Sequence, residues 1–344
     1  MPGRAFITGV DGPALAAAER AFLRAADPWG FILFKRNVDE PQQVRRLVAE
    51  LREAVGRDAP VLIDQEGGRV QRLGPPHWPA YPAGAAYGAL FAADPVAGLE
   101  AARLGARLIA ADLAALGIDV DCLPLADVPA ADADPVIGAR AYGDTAGQVS
   151  AIAQAVAAGL MEGGVLPVLK HLPGHGRANA DSHERLPVVG VDRATLEASD
   201  FQAFRPLAGL PLGMTAHVVY TAIDPVEPAT TSAPVIADVI RGWIGFDGAL
   251  MSDDLSMNAL AGSIAERAGR ALAAGCDLIL HCNGKMQEME RVAGATPQLA
   301  GEAARRAQAA LDARTKPSPL DVPAARAAFS AMMARVSRIN PVTA

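Results

Sequence analysis

Three of the six histidines in this 344-residue sequence lie in one short segment, Lys170–His183, which reads KHLPGHGRANADSH. The segment begins with a lysine and carries Asp181 two residues before His183. Imidazole, ammonium and carboxylate groups are the side chains that transfer protons, form covalent intermediates and bind metal ions in enzymes. We therefore expect Lys170–His183 to be a catalytic loop.

Carboxylates and further histidines occur elsewhere in the chain, each at the end of a short apolar run. If these runs are parallel β-strands, their carboxyl ends meet at one edge, which is where active sites of such folds form. The polar side chains then converge on one site together with the Lys170–His183 loop. The segments concerned are Asp64-Gln65-Glu66, the chain up to Asp127, Lys170-His171, His217, Ser252-Asp253-Asp254 and His281-Cys282-Asn283.

Two further kinds of chemistry fit the loop. Metal-binding atoms are present on His171, His175, Asp181 and His183, although their spacing matches no helical pair of metal-binding histidines. Lys170, at the end of a predicted strand, has the position of a lysine that forms a Schiff base in aldolases. From residue types alone, both a metal site and a Schiff-base lysine remain open.

Short apolar runs alternate with alanine-rich helical segments along almost the whole chain. Several helical segments end before a glycine, as at Gly56, Gly117 and Gly275, which is typical of helix C-termini. Strands are predicted at Ala5–Val10, Gly30–Phe34, Pro60–Asp64, Ile118–Leu125, Leu166–Lys170, Leu212–His217, Gly248–Ser252 and Cys276–His281. Helices are predicted at Pro13–Ala26, Pro41–Val55, Leu99–Leu116, Thr145–Glu162, Ala233–Ile244 and Ser263–Ala274.

Strands that are apolar on both faces and alternate with helices indicate a parallel sheet covered by helices. Eight such units predict an α/β fold of the (β/α)₈, TIM-barrel type, for which about 250 residues plus insertions is the usual size. A doubly wound sheet is the alternative, but no G-x-G-x-x-G motif opens the first helix. Because we find no linker and no internal repeat, we expect one catalytic domain over residues 1–344, with C-terminal helices at about 285–340.

The bulk composition restricts the class of protein. A net charge of −7 argues against nucleic-acid binding, which requires a basic surface. No run approaches the roughly 20 apolar residues of a membrane-spanning helix, and the N-terminal MPGRAFITGV lacks the features of a signal peptide. The three cysteines have no metal-type spacing and indicate free thiols. We therefore expect a cytoplasmic protein with neither membrane nor nucleic-acid partners.

Four longer motifs resemble those of glycoside hydrolase family 3. They are IDQEGGRVQR at Ile63–Arg72, PVIGARAYG at Pro135–Gly143, KHLPGHG followed by DSH within Lys170–His183, and MSDDLSM at Met251–Met257. They occur in the family's order, and the strand pattern extends the likeness to nearly the whole chain. Within the family, the sequence is similar to the bacterial, single-domain β-N-acetylhexosaminidases of peptidoglycan recycling.

The resemblance implies roles for eight residues. Asp253, which composition alone does not distinguish from Asp254, is expected to be the nucleophile. His183 is expected to be the general acid/base, with Asp181 as its partner. The terminal sugar is expected to bind to Asp64, Arg72, Arg140, Lys170 and His171. Tyr142 and His217 are further candidates for the pocket wall.

The activity that the resemblance implies is that of a retaining exo-β-N-acetylglucosaminidase, working as a monomer without cofactor or metal. Its expected substrates are cytoplasmic peptidoglycan fragments (GlcNAc-anhydroMurNAc with or without peptide), which links it to cell-wall biogenesis, cell shape and cell division. In double displacement, a carboxylate attacks the anomeric carbon while an acid protonates the leaving oxygen. Histidine suits the second task because its reference pKa of ~6.5 lies near neutral pH. The alternatives are a non-catalytic sugar-binding barrel and a lyase or aldolase that uses Lys170.

Overall fold

Eight parallel strands form the main sheet of the chain and close into a barrel. The computed structural model describes residues 3–131 and 133–336. The strands pair in chain order, and the last pairs with the first. Their bounds are β1 Arg4–Thr8, β2 Pro28–Leu33, β3 Val61–Ile63, β4 Val120–Asp121, β5 Leu166–Leu172, β6 Leu212–Thr215, β7 Ala249–Asp254 and β8 Leu278–His281. The predicted (β/α)₈ barrel is confirmed.

Helices surround the barrel and follow most of its strands. They are α1 Ala17–Ala26, α2 Pro41–Val55, α3 Gly84–Ala93, α4 Pro95–Ala114, α5 Ala146–Glu162, α6 Arg193–Ala198, α7 Ile264–Ala274, α8 Met286–Ala295, α9 Gly301–Asp312 and α10 Val322–Met333. Short 3₁₀ turns lie at Lys35–Asn37, Gly138–Arg140, Phe201–Ala203, Arg205–Leu207 and Ala229–Thr231, and a π-helix lies at Val235–Trp243. Two minor strand pairs complete the structure: Gln65–Gly67 with Val70–Gln71, and Val188–Val189 with Val219–Tyr220.

Side chains alternate between the barrel interior and the helix layer, as the two-residue period of a strand requires. In β7, Ala249 and Met251 belong to the interior cluster, whereas Leu250 packs with the residues under the helices. In β5, Leu166 and Val168 face inward in the same way. The positions two residues further along each strand therefore face the barrel axis at its C-terminal end.

Helix α9 covers the opposite, N-terminal end of the barrel. Ala307 is fully buried and belongs to the interior cluster. Arg306 bonds to Asp277, directly before β8, at 3.3 Å, and Arg314 bonds to Asp119, directly before β4, at 2.9 Å. Because α9 packs against the N-terminal end, the C-terminal ends of the strands are left to form a site.

The structure departs from the sequence-based elements in a few places. Strand β4 is much shorter than the predicted Ile118–Leu125, because Pro124 has no N–H to give the sheet and Leu123 bonds back to Asp121. The helix predicted at Ala233–Ile244 is the π-helix, since apolar periodicity cannot distinguish the two helix types. Of the C-terminal helices predicted at about 285–340, α8, α9 and α10 are present and residues 337–340 lie outside the described residues.

The helices found in residues 3–131 and 133–336 include none with both the length and the apolar character needed to cross a membrane.

We predict that glycine-to-alanine substitutions in α5 and α7 will have opposite effects on stability. A Cβ at Gly159 of α5 would lie 2.2 Å from the carbonyl oxygen of Arg103 in α4, so G159A should lower the free energy of unfolding by about 1–3 kcal/mol. A Cβ at Gly269 of α7 meets nothing within 4 Å, so G269A should raise it by about 0.5–1 kcal/mol. Urea unfolding measures both; a stabilised G159A would contradict the close helix packing.

Candidate active site

A cavity of about 410 Å³ opens at the C-terminal ends of the barrel strands. Its floor is formed by side chains that continue the inward alternation of the strands, for example Asp64 after β3 and Asp253 in β7. All eight residues predicted for the site line it: Asp64, Arg72, Arg140, Lys170, His171, Asp181, His183 and Asp253. The two further candidates do not: Tyr142 lines a separate surface groove, and His217 is buried behind the cavity wall.

Five charged side chains at the cavity form a continuous series of ion pairs, which we call the ion-pair chain. Arg72 Nη2 lies 2.8 Å from Asp64 Oδ2, and Lys170 Nζ lies 3.1 Å from Asp64 Oδ1. Lys170 Nζ also contacts Glu66 Oε1 at 2.6 Å, and Arg140 donates two hydrogen bonds, of 2.8 and 2.9 Å, to the Glu66 carboxylate. Glu66 was expected at this edge because it follows a predicted strand, but no role was predicted for it.

The ion-pair chain keeps its members charged. Burial raises the pKa of Asp64 and Glu66, but the charge of Lys170 and the neighbouring arginines outweighs it, and the pKa of each carboxyl is lowered overall. Burial lowers the pKa of Lys170, yet Glu66 and Asp64 raise it well above its ordinary value. A Schiff-base lysine must lose its proton to attack a carbonyl. The environment of Lys170 therefore disfavours the lyase or aldolase alternative.

Asp253 and Asp254 end β7 with different surroundings. Asp254 accepts hydrogen bonds on both carboxylate oxygens, from the N–H and hydroxyl of Ser256 at 3.0 and 2.5 Å and from the N–H of Cys282 at 3.1 Å. Asp253 accepts only the N–H of Asp254, at 2.8 Å, among the described residues. Asp253 also continues the inward positions of Ala249 and Met251. It is therefore the carboxylate that is free to meet a ligand.

The surroundings of Asp253 keep it ionised. Burial raises the pKa of Asp253, but electrostatic interactions with His217, His171 and Lys170 and the N–H of Asp254 lower it below its ordinary value. A carboxylate must be ionised to act as a nucleophile. The surroundings of Asp253 thus supply the protonation state that nucleophilic attack needs.

Asp127 organises the start of the Lys170–His183 loop, a role that was not predicted from the sequence. Its buried carboxylate accepts from His171 Nδ1 at 2.7 Å and from the N–H of His175 at 2.6 Å. Burial raises the pKa of Asp127, but His171 and His175 lower it to about 2. Because Nδ1 of His171 is bound to Asp127, its Nε2 is the nitrogen left to bind a ligand. The end of an apolar run at Asp127 was the only sequence signal for it.

The first half of the catalytic loop is packed against the barrel. A Cβ on Gly176 would lie 2.0 Å from the carbonyl oxygen of Val128, so the close approach of two backbones requires glycine there. Arg177 forms an ion pair with buried Asp200 at 2.7 Å. Gly176 thus lets the loop pack closely against the segment that follows β4.

The second half of the loop presents Asp181 and His183, which we call the dyad. His183 Nδ1 lies 2.7 Å from Asp181 Oδ1, and the N–H of His183 donates to the same oxygen at 2.9 Å. Between them, Ser182 is buried and its hydroxyl bonds to His175 Nε2 at 3.2 Å. The side chain of His183 is 68% exposed. The dyad is thus anchored through Ser182 while its imidazole reaches the opening of the cavity.

The loop side chains considered for metal binding are engaged in other contacts. His171 and His183 each use Nδ1 for a carboxylate, and His175 Nε2 faces Ser182. Across residues 3–131 and 133–336, no three His, Cys, Asp or Glu side chains are grouped as metal ligands. The arrangement instead combines an ionised carboxylate, a carboxylate-paired imidazole and fixed hydrogen-bond donors around one cavity, which suits acid/base-assisted displacement at a small polar substrate.

Comparisons with known proteins agree with this arrangement. The family model described as "Glycosyl hydrolase family 3 N terminal domain" matches residues 9–314. A beta-hexosaminidase from Alkalilimnicola ehrlichii is 39% identical over 279 residues, which cover 80% of this chain and 79% of the relative. A beta-hexosaminidase from Aromatoleum aromaticum is 36% identical over 318 residues, which cover 91% of this chain and 87% of the relative.

Solved structures give the same result. The chain superposes on NagZ from Neisseria gonorrhoeae, crystallised with N-trifluoroacetyl-D-glucosamine, with a TM-score of 0.83 and 32% identity over 98% of each chain. It matches a glycoside hydrolase family 3 beta-N-acetylglucosaminidase from Paenibacillus sp. with a TM-score of 0.84 and 30% identity, over 98% of this chain and 67% of that one. The family predicted from the four motifs is confirmed: the chain belongs to glycosyl hydrolase family 3 and is a glycoside hydrolase.

Proposed function

We propose that this enzyme is a retaining exo-β-N-acetylglucosaminidase that removes terminal GlcNAc from peptidoglycan fragments by double displacement. The observation that carries the proposal is that Asp253, ionised and facing inward, lines the same cavity as the dyad. One group is suited to attack the anomeric carbon and the other to protonate the leaving oxygen. Double displacement requires this pair of functions.

The cavity is suited to one terminal sugar. Its volume of about 410 Å³ is near the lower end of the usual range for ligand pockets, about 300–1,000 Å³. Arginine and lysine of the ion-pair chain donate to sugar oxygens, and Asp64 accepts from hydroxyls. The relatives support the sugar: two are named beta-hexosaminidases, and the Neisseria protein was crystallised with an N-acylated glucosamine.

In the first step, Asp253 attacks the anomeric carbon and forms a glycosyl ester while the bond to the leaving oxygen breaks. His183 Nε2 gives its proton to that oxygen, because Nδ1 is bound to Asp181. The Asp181 carboxylate stabilises the protonated imidazole before the transfer. Its own pKa, raised by burial but lowered more by the bonds from His183, lies below the ordinary value, so Asp181 is ionised.

In the second step, the neutral imidazole of His183 takes a proton from water, and the oxygen of that water attacks the anomeric carbon. The bond to Asp253 breaks and the carboxylate is restored. Two inversions give a product with the configuration of the substrate. From the resemblance of its motifs to those of the peptidoglycan-recycling hexosaminidases, we propose GlcNAc-anhydroMurNAc, with or without peptide, as the substrate in the cytoplasm, with the enzyme acting as a monomer.

We predict that D253A will lose roughly 10³-fold or more of kcat/KM on p-nitrophenyl N-acetyl-β-glucosaminide, because the nucleophile is removed. Azide should restore turnover by attacking from the vacated face, which gives the α-glycosyl azide. The control is D247A, since Asp247 is an exposed residue beyond the opposite end of β7 whose carboxylate pairs with Arg305 and Arg306. Product anomers are identified by NMR. Unimpaired activity of D253A, or a β-azide, would contradict the assignment.

We predict that the loss of activity in H183A will depend strongly on the leaving group of the substrate. Its kcat/KM should fall about 10²–10⁴-fold on a disaccharide, whose leaving oxygen needs a proton, and far less on a dinitrophenyl glycoside, whose leaving group needs none. Azide should intercept the glycosyl ester and give the β-glycosyl azide. His77 is exposed and lies outside the cavity lining, so H77A is the matched control. Equal losses on both substrates would exclude His183 as the acid.

A further inference from the structure

Arg69 is an arginine of the cavity lining to which the proposed reaction gives no role. It lies in the motif Ile63–Arg72, which also supplies Asp64 and Arg72, and it lines the cavity. The other lining cations, Arg72, Arg140 and Lys170, each pair with a carboxylate. Within residues 3–131 and 133–336, the structure pairs no carboxylate with Arg69. Its guanidinium is therefore available to an anionic ligand.

The fold holds Arg69 in place. It lies in the turn that joins the antiparallel strands Gln65–Gly67 and Val70–Gln71. Gly67 has a φ of +94°, and a Cβ there would lie 2.3 Å from the carbonyl oxygen of Pro82, so the turn is packed tightly against the neighbouring segment. The guanidinium also donates to the carbonyl oxygen of Val136, which lines the same cavity. A fixed side chain loses less entropy when it binds a ligand.

Depth within the cavity distinguishes the sugar side from the leaving-group side. Lys170 and Glu66 have only 3% and 4% of their side chains exposed and form the floor. Arg69 and His183 are both exposed and line the opening. An acid/base group contacts the leaving oxygen, so the group beyond that oxygen lies at the opening. Arg69 is therefore on the side of the leaving group.

We infer that Arg69 binds a carboxylate of the leaving group and makes the enzyme selective for acidic aglycones. A planar guanidinium matches a carboxylate with two parallel hydrogen bonds. The inference rests on the proposed function, since the leaving-group side is defined by Asp253 and His183. It assigns the substrate class more narrowly: N-acetyl-β-glucosaminides whose leaving group carries a negative charge close to the scissile bond.

The test compares two pairs of substrates, the N-acetyl-β-glucosaminides of 3- and 4-hydroxybenzoate and of their methyl esters. The readout is the ratio of kcat/KM for each acid to that for its ester, in the wild type, R69Q and R69K. Comparing this ratio between variants cancels the intrinsic reactivity of the leaving groups. R69Q keeps a donor for Val136 but loses the charge, whereas R69K keeps the charge.

For at least one pair of substrates, R69Q should lower the acid-to-ester ratio about fivefold, mainly by raising the KM of the acid. R69K should keep part of the preference for the acid. Added salt should lower the ratio in the wild type but not in R69Q. Arg45 is the matched control, because it is an exposed arginine of α2 whose guanidinium also donates to a carbonyl, that of Ala115. R45Q should leave the ratio unchanged.

Two results would overturn the inference. Equal losses on acid and ester in R69Q would show that Arg69 only supports the cavity wall, and an unchanged ratio for both pairs would show that it binds no carboxylate. In both cases, Asp253-dependent hydrolysis of the esters would leave the proposed function intact. If the wild type fails to hydrolyse the esters, the proposed function falls and the inference with it.

Discussion

The active site depends on one electrostatic constraint: charges that leave water must be paired. Three cations, Arg72, Lys170 and Arg140, alternate with two anions, Asp64 and Glu66, so the ion-pair chain carries a net charge of +1. It connects the end of β3, its hairpin, β5 and the 3₁₀ turn at Gly138–Arg140. Removing one member of a buried pair typically costs about 3–5 kcal/mol, because its partner stays buried and unpaired. The ion-pair chain therefore holds these segments of the cavity in one arrangement.

The ion-pair chain also affects the protonation state of Asp253. The ammonium of Lys170, held protonated by its carboxylates, contributes to lowering the pKa of Asp253, with His217 and His171 contributing more. The floor is thus a rigid, charged surface, and the dyad at the opening is reached by solvent. In the proposed reaction, this arrangement separates two requirements: fixed binding of the sugar, and exchange of protons with water at the leaving-group side.

Much of this could be predicted from the sequence, because it depends on local pattern. The alternation of apolar runs with helices gave the barrel, and residues at the ends of those runs gave the cavity lining. Period-two alternation also separates Asp253 from Asp254, once Ala249 and Met251 are known to face inward. The strand pattern alone does not show which of the two positions faces inward, so the expected role of Asp253 as nucleophile rests on the resemblance in motifs.

The remainder depends on contacts between residues distant in sequence. Glu66 matters because Arg140 lies 74 residues away and pairs with it, and Asp127 matters because His171 and His175 return to it. The close approach of Gly176 to Val128 is of the same kind. A glycine in a histidine-rich loop predicts mobility as readily as packing, and only the neighbouring backbone decides between them.

The ion-pair chain also constrains how this enzyme can diverge. Its charges alternate in sign, so removing the charge of Asp64 or Glu66 leaves Arg72 or Arg140 without its carboxylate. Lys170 touches two carboxylates at once, and its replacement would leave both without their common cation. Change at these three inner positions is therefore expected to proceed by paired substitutions, and an engineer altering this side of the cavity would need to redesign the neighbouring charges together.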